Sequence, residues 1–208
     1  MKAWAKIIKI SKAVLFITAI LFLTSCSGIL PEQGTISQDG SLFGVITPEN
    51  NFKSKSSSIC LDVPYQRYGG VNWCLPASAA MTLDFFGLHL SQQELAKKII
   101  KPDGLGDINK MVKFAKELGF TASFTVLTLE EIEGYLSNQI PLIAIQKYKE
   151  SNPLAHARVI IGYDAEKKQI LTNDPTIGEH YAVSYEQFLR LNLTSNSKYS
   201  MAIVIIPA

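Results

Sequence analysis

The chain has 208 residues, enough for one ordinary domain together with a leader or tail. Its content of 47% apolar and 18% charged residues excludes a disordered polyelectrolyte. The 20 Lys and Arg against 18 Asp and Glu, a formal net charge of +2, exclude the basic field of a nucleic-acid-binding protein.

The first segment skews these bulk figures. Lys2, Lys6, Lys9 and Lys12 precede the apolar run "AVLFITAILFL" (13–23), with no acid in the first 25 residues. A basic region followed by a short apolar one reads as a secretory signal, too short for a comfortable membrane span. Without residues 1–25 the chain holds 16 basic and 18 acidic side chains, net −2. The sequence pI near 8.3 therefore belongs to the precursor. The run ends in "LTSC" (23–26), which resembles the lipobox of bacterial lipoproteins. That resemblance implies a diacylglycerol on the Cys26 thiol, cleavage before it and acylation of the new amine. The alternative is an ordinary signal peptide with a soluble product. Each buried methylene contributes roughly 0.8 kcal/mol, so several acyl chains would anchor the protein firmly to a membrane. Ser27 instead of Asp after the cysteine points to the outer membrane, facing the periplasm, where the organism has one.

Residues 26–58 follow as a tether rich in Ser, Gly, Asn and Pro, with no sustained period. A flexible chain of that length spans roughly 30 Å, enough to clear lipid headgroups. The folded domain is expected over 59–208, beginning with a short strand and turn in "CLDVPYQ" (60–66). Cys74 then opens an amphipathic helix with Pro76 in its first turn and Gly87 at its end. Ala77, Met81 and Phe85 lie along one face of that helix. Ser91 and Glu94 stand at capping-box spacing before a second helix. Ile108, Met111, Val112 and Ala115 form the apolar side of a third, closed by Gly119. After the strand "TASFTVL" (121–127), Thr128 and Glu131 open a fourth. The pattern then changes to β-branched runs of strand length: "PLIAIQKY" (141–148), "HARVIIGYD" (156–164), "KQILTND" (168–174) and "YSMAIVIIP" (199–207). A short helix, "SYEQFLRL", with Ser184 and Gln187 at cap spacing, interrupts them. Helices first and strands later predict an α+β domain with a mainly antiparallel sheet.

Of three cysteines, Cys74 alone sits at a helix N-terminus, where the macrodipole favours a thiolate. A nucleophilic thiol needs a base, and the base an orienting group. His89 lies between helices and reads as structural, and His180 falls in a loop. His156 opens an apolar strand. A hairpin turning near residues 165–166 sets Asp174 opposite positions 156–159, where its carboxylate can hold an imidazole tautomer. Each of these residues also has a bland reading: a small buried thiol, a core histidine, an Asp-Pro turn.

In combination, "DVPYQ…NWCLPASAAMTLDFFG", "HARVIIGYD" and "ILTNDP" resemble the papain-like cysteine peptidases related to the bacteriocin-processing, double-glycine-leader peptidases. The resemblance spans about residues 61–206. It implies a papain-like fold and a peptide or protein substrate. It makes Cys74 the nucleophile, His156 the general base and then acid, and Asp174 the residue that orients His156. It also makes Gln66 an oxyanion donor beside the Cys74 backbone N–H, which suits the donors that acyl transfer needs. The family usually has Gly after the cysteine; Leu75 is expected to narrow or reshape the primed side of the cleft. The exporters that use such peptidases carry membrane-spanning and nucleotide-binding domains, and no Walker-type loop occurs here. Cleavage of double-glycine leaders is therefore not carried over automatically and stays open, and no nucleotide partner is expected.

Cys60 is expected to be buried as a small apolar residue in its strand. A Cys60–Cys74 disulfide, which would abolish nucleophilicity, is the alternative. No cofactor is implied and Cys and His lack metal-ligand spacing. Three functions stay open: a lipid-anchored thiol peptidase of the cell envelope, an amidase or acyl-transfer enzyme with the same triad, and a non-catalytic peptide-binding domain.

Overall fold

The computed structural model describes residues 57–193 and 198–208. The expected signal (1–25), Cys26 and nearly all of the tether (26–58) lie outside the described residues. Five helices and seven strands follow in order: β1 (Ser58–Cys60), α1 (Cys74–Phe85), α2 (Gln92–Ile99), α3 (Ile108–Glu117), β2 (Thr121–Leu127), α4 (Leu129–Ser137), β3 (Leu142–Lys149), β4 (Asn152–Asp164), β5 (Gln169–Asp174), β6 (Gly178–Ser184), α5 (Tyr185–Arg190) and β7 (Ser200–Ile206). No described helix is long and apolar enough to cross a membrane.

The sheet is antiparallel throughout, in the order β2-β7-β3-β4-β5-β6, with β1 added beside the far end of β4. Its central strands are buried on both faces, which is why they read as unbroken apolar runs. Ile143, Ile145, Ile203 and Ile205 pack with α1, α2 and α3. Their neighbours Leu142, Ala144, Ala202 and Val204 pack with α4 and α5. This is the expected α+β class, with two helices added over the second face.

The capping signals hold. Ser91 and Thr128 each accept from the N–H three residues on, while Glu94 and Glu131 reach back, completing two capping boxes. Asp107 and Ser184 cap α3 and α5 with their side chains. Gly87 and Gly119 take positive φ just after α1 and α3, a conformation only glycine adopts freely.

Four expectations are corrected. Helix α1 is buried on every side from Leu75 to Leu83, so it is a central helix rather than an amphipathic one. The strand carrying His156 begins at Asn152, which moves His156 from the strand's opening to its interior, paired with Gln146. His180 lies in strand β6, not in a loop, and has φ of 50°. Cys60 is exposed at the edge of β1 rather than buried. The reason is local: β1 pairs with β4 across Gly162, where a Cβ would stand 2.2 Å from the Ile59 carbonyl oxygen. Side chains alternate along a strand, so with Ile59 packed on the core the Cys60 side chain faces out.

Candidate active site

Strand register places the first partners. Strand β5 pairs with β4 from Asp164↔Gln169 to Val159↔Asn173, with one irregularity between Ile160 and Gly162. The next step beyond the last pair sets Asp174 against Arg158 and diagonal to His156, within the expected 156–159 window. Both Asp174 carboxylate oxygens lie 3.0 Å from His156 Nε2, and the two side chains are 0% and 5% exposed. Asp174 Oδ1 also accepts from the N–H groups of Thr176 (2.8 Å) and Ile177 (3.1 Å) in the turn after Pro175. The Asp-Pro turn and the carboxylate–imidazole contact thus coexist. The carboxylate is held from two sides before it holds the ring.

With Nε2 engaged by Asp174, the other ring nitrogen is left for Cys74. Burial pushes the Cys74 thiol up, yet the hydrogen bond from His156, the Ala157 N–H, the imidazolium charge and the Leu75 N–H outweigh it, and the net direction is down. Burial pushes His156 down, and its bonds to Asp174 and Cys74 with their charges more than offset this, so its pKa is raised. For Asp174, burial raises the pKa but the His156 bond and charge, the Arg158 charge and the Thr176 N–H take it below the carboxylate range. These shifts all favour the charged forms, a thiolate–imidazolium pair on a carboxylate.

Helix α1 contributes in a second way. Its N-cap is Trp73, with no side-chain cap bond, whereas α2 to α5 are all capped by side chains. The first N–H groups of α1 therefore stay available at the thiol. Trp73 is held against the preceding turn, since a Cβ on Gly70 would meet its ring at 2.6 Å. Cys74, His156 and Trp73 line a cleft of about 310 Å³ together with Tyr68, Val71, Tyr148, Leu154 and Thr176. Leu75 does not line it. Its side chain is 3% exposed and packs on Gly106, where a Cβ would come within 2.9 Å. The expected narrowing of the cleft by Leu75 is corrected: the helix turns that side chain into the core.

Gln66 lies on the segment before α1, tied along the end of β5 by three bonds. Asn173 Nδ2 donates to the Val63 carbonyl (2.8 Å), the Tyr65 hydroxyl to the Asp174 carbonyl (3.4 Å) and the Tyr68 N–H to the Pro175 carbonyl (3.1 Å). Gln66 lines a neighbouring polar cleft with Asp84, His89 and Ser91, and not the cleft of Cys74 and His156. Its amide is nevertheless oriented. Gln92 accepts from the Gly69 N–H (2.8 Å) and donates to the Arg67 carbonyl (2.9 Å), so its nitrogen faces Gln66 Oε1 at 3.2 Å. That leaves the Gln66 NH₂ as the free end. His89 pairs with Asp84 at the surface, apart from Cys74. Cys60 and Cys74 are both free thiols.

Sequence reasoning missed Gln92, Asn173, Tyr148 and Arg158. The Tyr148 ring meets the His156 ring edge-on at 5.2 Å. Arg158, 1% exposed, puts Nε 3.4 Å from Asp174 Oδ2. An arginine inside the apolar strand "HARVIIGYD" was the signal available for it. Among the described residues, no group of three or more His, Cys, Asp or Glu is placed to hold a metal ion.

Residues 60–198 match the family model described as the Peptidase_C39 like family. The chain belongs to that family. By family this C39-like protein is a cysteine peptidase, a hydrolase. No curated protein matches it. Among solved structures it is similar to one described as a C39-like peptidase from Bacillus anthracis, with a TM-score of 0.59 and 19% identity over 73% of this chain and 98% of that one. It is similar also to a double-glycine-motif protease from an AMS/PCAT transporter in complex with the leader peptide, at 0.55 and 19%, covering 72% of this chain and 94% of the other. The peptidase domain of Streptococcus ComA, a bifunctional ABC transporter, gives 0.52 and 20%, covering 69% and 98%. The shared architecture is the papain-like fold.

Proposed function

We propose that this C39-like peptidase hydrolyses peptide bonds by nucleophilic catalysis from Cys74, with His156 as general base and acid and Asp174 as its orienting partner. The observation that supports this best is the chain of contacts from Asp174 through His156 to a thiol at the uncapped start of α1. The thiolate attacks the scissile carbonyl carbon, and the electron pair moves to the carbonyl oxygen. The imidazolium gives its proton to the leaving amine as the C–N bond breaks. Water then attacks the thioester, His156 takes its proton, and the C–S bond breaks to return the Cys74 thiolate as the acid product leaves. The Cys74 N–H and the Gln66 NH₂ serve as oxyanion donors, the latter after Gln66 turns toward the Cys74 cleft from the position in which Gln92 holds its oxygen. The structural neighbour that was solved with a leader peptide favours a peptide as the substrate class.

The polypeptide before the domain extends the proposal. The basic leader, the apolar run and "LTSC" support lipidation of Cys26 and a peptidase tethered to the cell-envelope membrane by residues 26–58. Comparing cleavage sites across a proteome incubated with wild type and with Cys74→Ala tests the activity. Wild-type-specific neo-N-termini are expected, and their absence, with Cys74 unreactive toward a thiol-directed activity probe, would leave a peptide-binding domain. Mass spectrometry of the membrane fraction tests the anchor. An acylated N-terminal Cys26 peptide is expected, and an unmodified Cys26 in soluble mature protein would remove this part.

A further inference from the structure

We infer that Arg158 is a positioning residue of this site, holding the Asp174 carboxylate at Oδ2, away from the Thr176 and Ile177 N–H groups on Oδ1, and supplying the second cation of a four-charge cluster. The inference rests on the reading of Cys74, His156 and Asp174 as the reacting assembly. Arg158 and His156 are two apart on β4, so their side chains leave the same face of the strand. Both reach Asp174: His156 through Nε2 at 3.0 Å, Arg158 through Nε at 3.4 Å. The Arg158 contact is an ion pair out of hydrogen-bond alignment. Its Nη2 donates instead to the carbonyls of Tyr148 (3.2 Å) and Lys147 (3.4 Å). One side chain thereby joins the end of β5 to the end of β3, where the Tyr148 ring packs edge-on against His156.

Stability alone does not account for an arginine here. Burying a guanidinium is costly, and replacing a buried ion pair by apolar residues is often neutral or stabilising, so the ill-aligned ion pair and two carbonyl bonds are a weak reason for it. Charge balance does account for it. In the ion-pair state the cluster holds the Cys74 thiolate and the Asp174 carboxylate against the His156 imidazolium and the Arg158 guanidinium. Without Arg158 the same state carries one uncompensated negative charge, with the Asp174 carboxylate fully buried. The other groups facing the cluster are the Tyr148 phenol from β3, the Tyr181 phenol from β6 and the Tyr65 hydroxyl, which donates to the Asp174 carbonyl with Arg67 and Glu179 near it. The Arg67 charge is felt at Tyr65, whereas the cations that act on Asp174 itself are His156 and Arg158.

The sign follows. Neutralising position 158 disfavours the thiolate, which raises the lower limb of the pH–reactivity profile. It also leaves Asp174 acting on His156 alone, which raises the upper limb. The test is the rate of iodoacetamide alkylation of Cys74 against pH in the mature protein, for wild type, Arg158→Gln, Arg158→Met and Arg158→Lys, with melting temperatures recorded. Both limbs should move up by about one pH unit in the two neutral variants and stay in place in the lysine variant, since one opposite charge at this range shifts a pKa by about 1–3 units. Neutral variants with unshifted limbs, or neutral and lysine variants shifted alike, would overturn the inference. So would a folded lysine variant beside two neutral variants that fail to fold, which would make the role purely structural. A wild-type profile that His156→Ala leaves unchanged would instead defeat the underlying reading of the site.

Discussion

Cys74 and Cys60 are pushed in opposite directions by their surroundings. Cys74 is lowered by His156 and two backbone N–H groups against its burial, whereas burial and then Asp62 raise the exposed-edge Cys60. Iodoacetamide at pH 6 is therefore expected to alkylate Cys74 selectively in the folded protein, as read by peptide mapping, and His156→Ala should remove that selectivity. A lowered thiol and a raised imidazole also widen the window in which the ion pair exists. Activity should form a plateau between the two, falling below the Cys74 value and above the His156 value. The linked stability follows the same signs. The part owed to His156 is complete below its unfolded pKa of about 6.5 and is lost as pH rises through the higher folded value. The part owed to Asp174 is present above about 3.9 and is lost as pH falls through its lower folded value. Gln66 makes a separate prediction. Gln66→Ala should lower turnover about 10²- to 10³-fold if its NH₂ is an oxyanion donor. Gln92→Ala should leave turnover unchanged or raise it, because it releases the Gln66 oxygen from the position Gln66 must leave to reach the Cys74 cleft. An effect under tenfold for Gln66→Ala on a good peptide substrate would take it out of the oxyanion hole.

At the scale of elements, the helix ends were legible because capping is a matter of a few adjacent residues. Ser91 with Glu94, and Thr128 with Glu131, can close only one kind of local structure before an apolar run. Thr128→Ala is expected to cost about 1 kcal/mol, seen as a lowered denaturation midpoint with unchanged Cys74 reactivity. Helix α1 was misread as amphipathic since its surroundings come from elements distant in sequence: β3 and β4 on one side and α2 on another. Strand β6 was missed because "GEHYAVS" follows an Asp-Pro turn, and its interruption by a positive φ at His180 hides the alternation. The pairing of β1 beside β4 was illegible for a similar reason. Gly162 is one glycine among thirteen until Ile59 is seen against it. Gly162→Ala should force the backbone of β1 away and cost roughly 1–3 kcal/mol, measurable by chemical denaturation, with Cys60 more reactive to thiol reagents.

For the whole molecule, the described fold starts at the β1 edge, where the Ala165 N–H donates to the Ser57 carbonyl at 2.8 Å. A protein beginning at Ser57 is expected to keep the melting temperature and the pH 6 reactivity of Cys74, while one beginning at Asp62 loses β1 and melts lower; calorimetry on both decides this. The leader and "LTSC" are properties of contiguous residues, read by composition and position, so the sequence by itself carries the anchoring hypothesis. It also determined the α+β class, three of the capped helix starts (Ser91, Thr128 and Ser184) and the placing of Asp174 near His156, because periodicity, caps and hairpin register are local. Only the tertiary structure decided what stands around those residues. It turned Leu75 into the core, set Gln66 in the adjoining cleft under the hold of Gln92, and brought the Arg158 guanidinium to Asp174. The first two are long-range outcomes of packing, in which a side chain's direction depends on a distant element that meets it. The third lies within one hairpin, whose register brings the two backbones together and leaves the course of the long Arg158 side chain to its neighbours on β3.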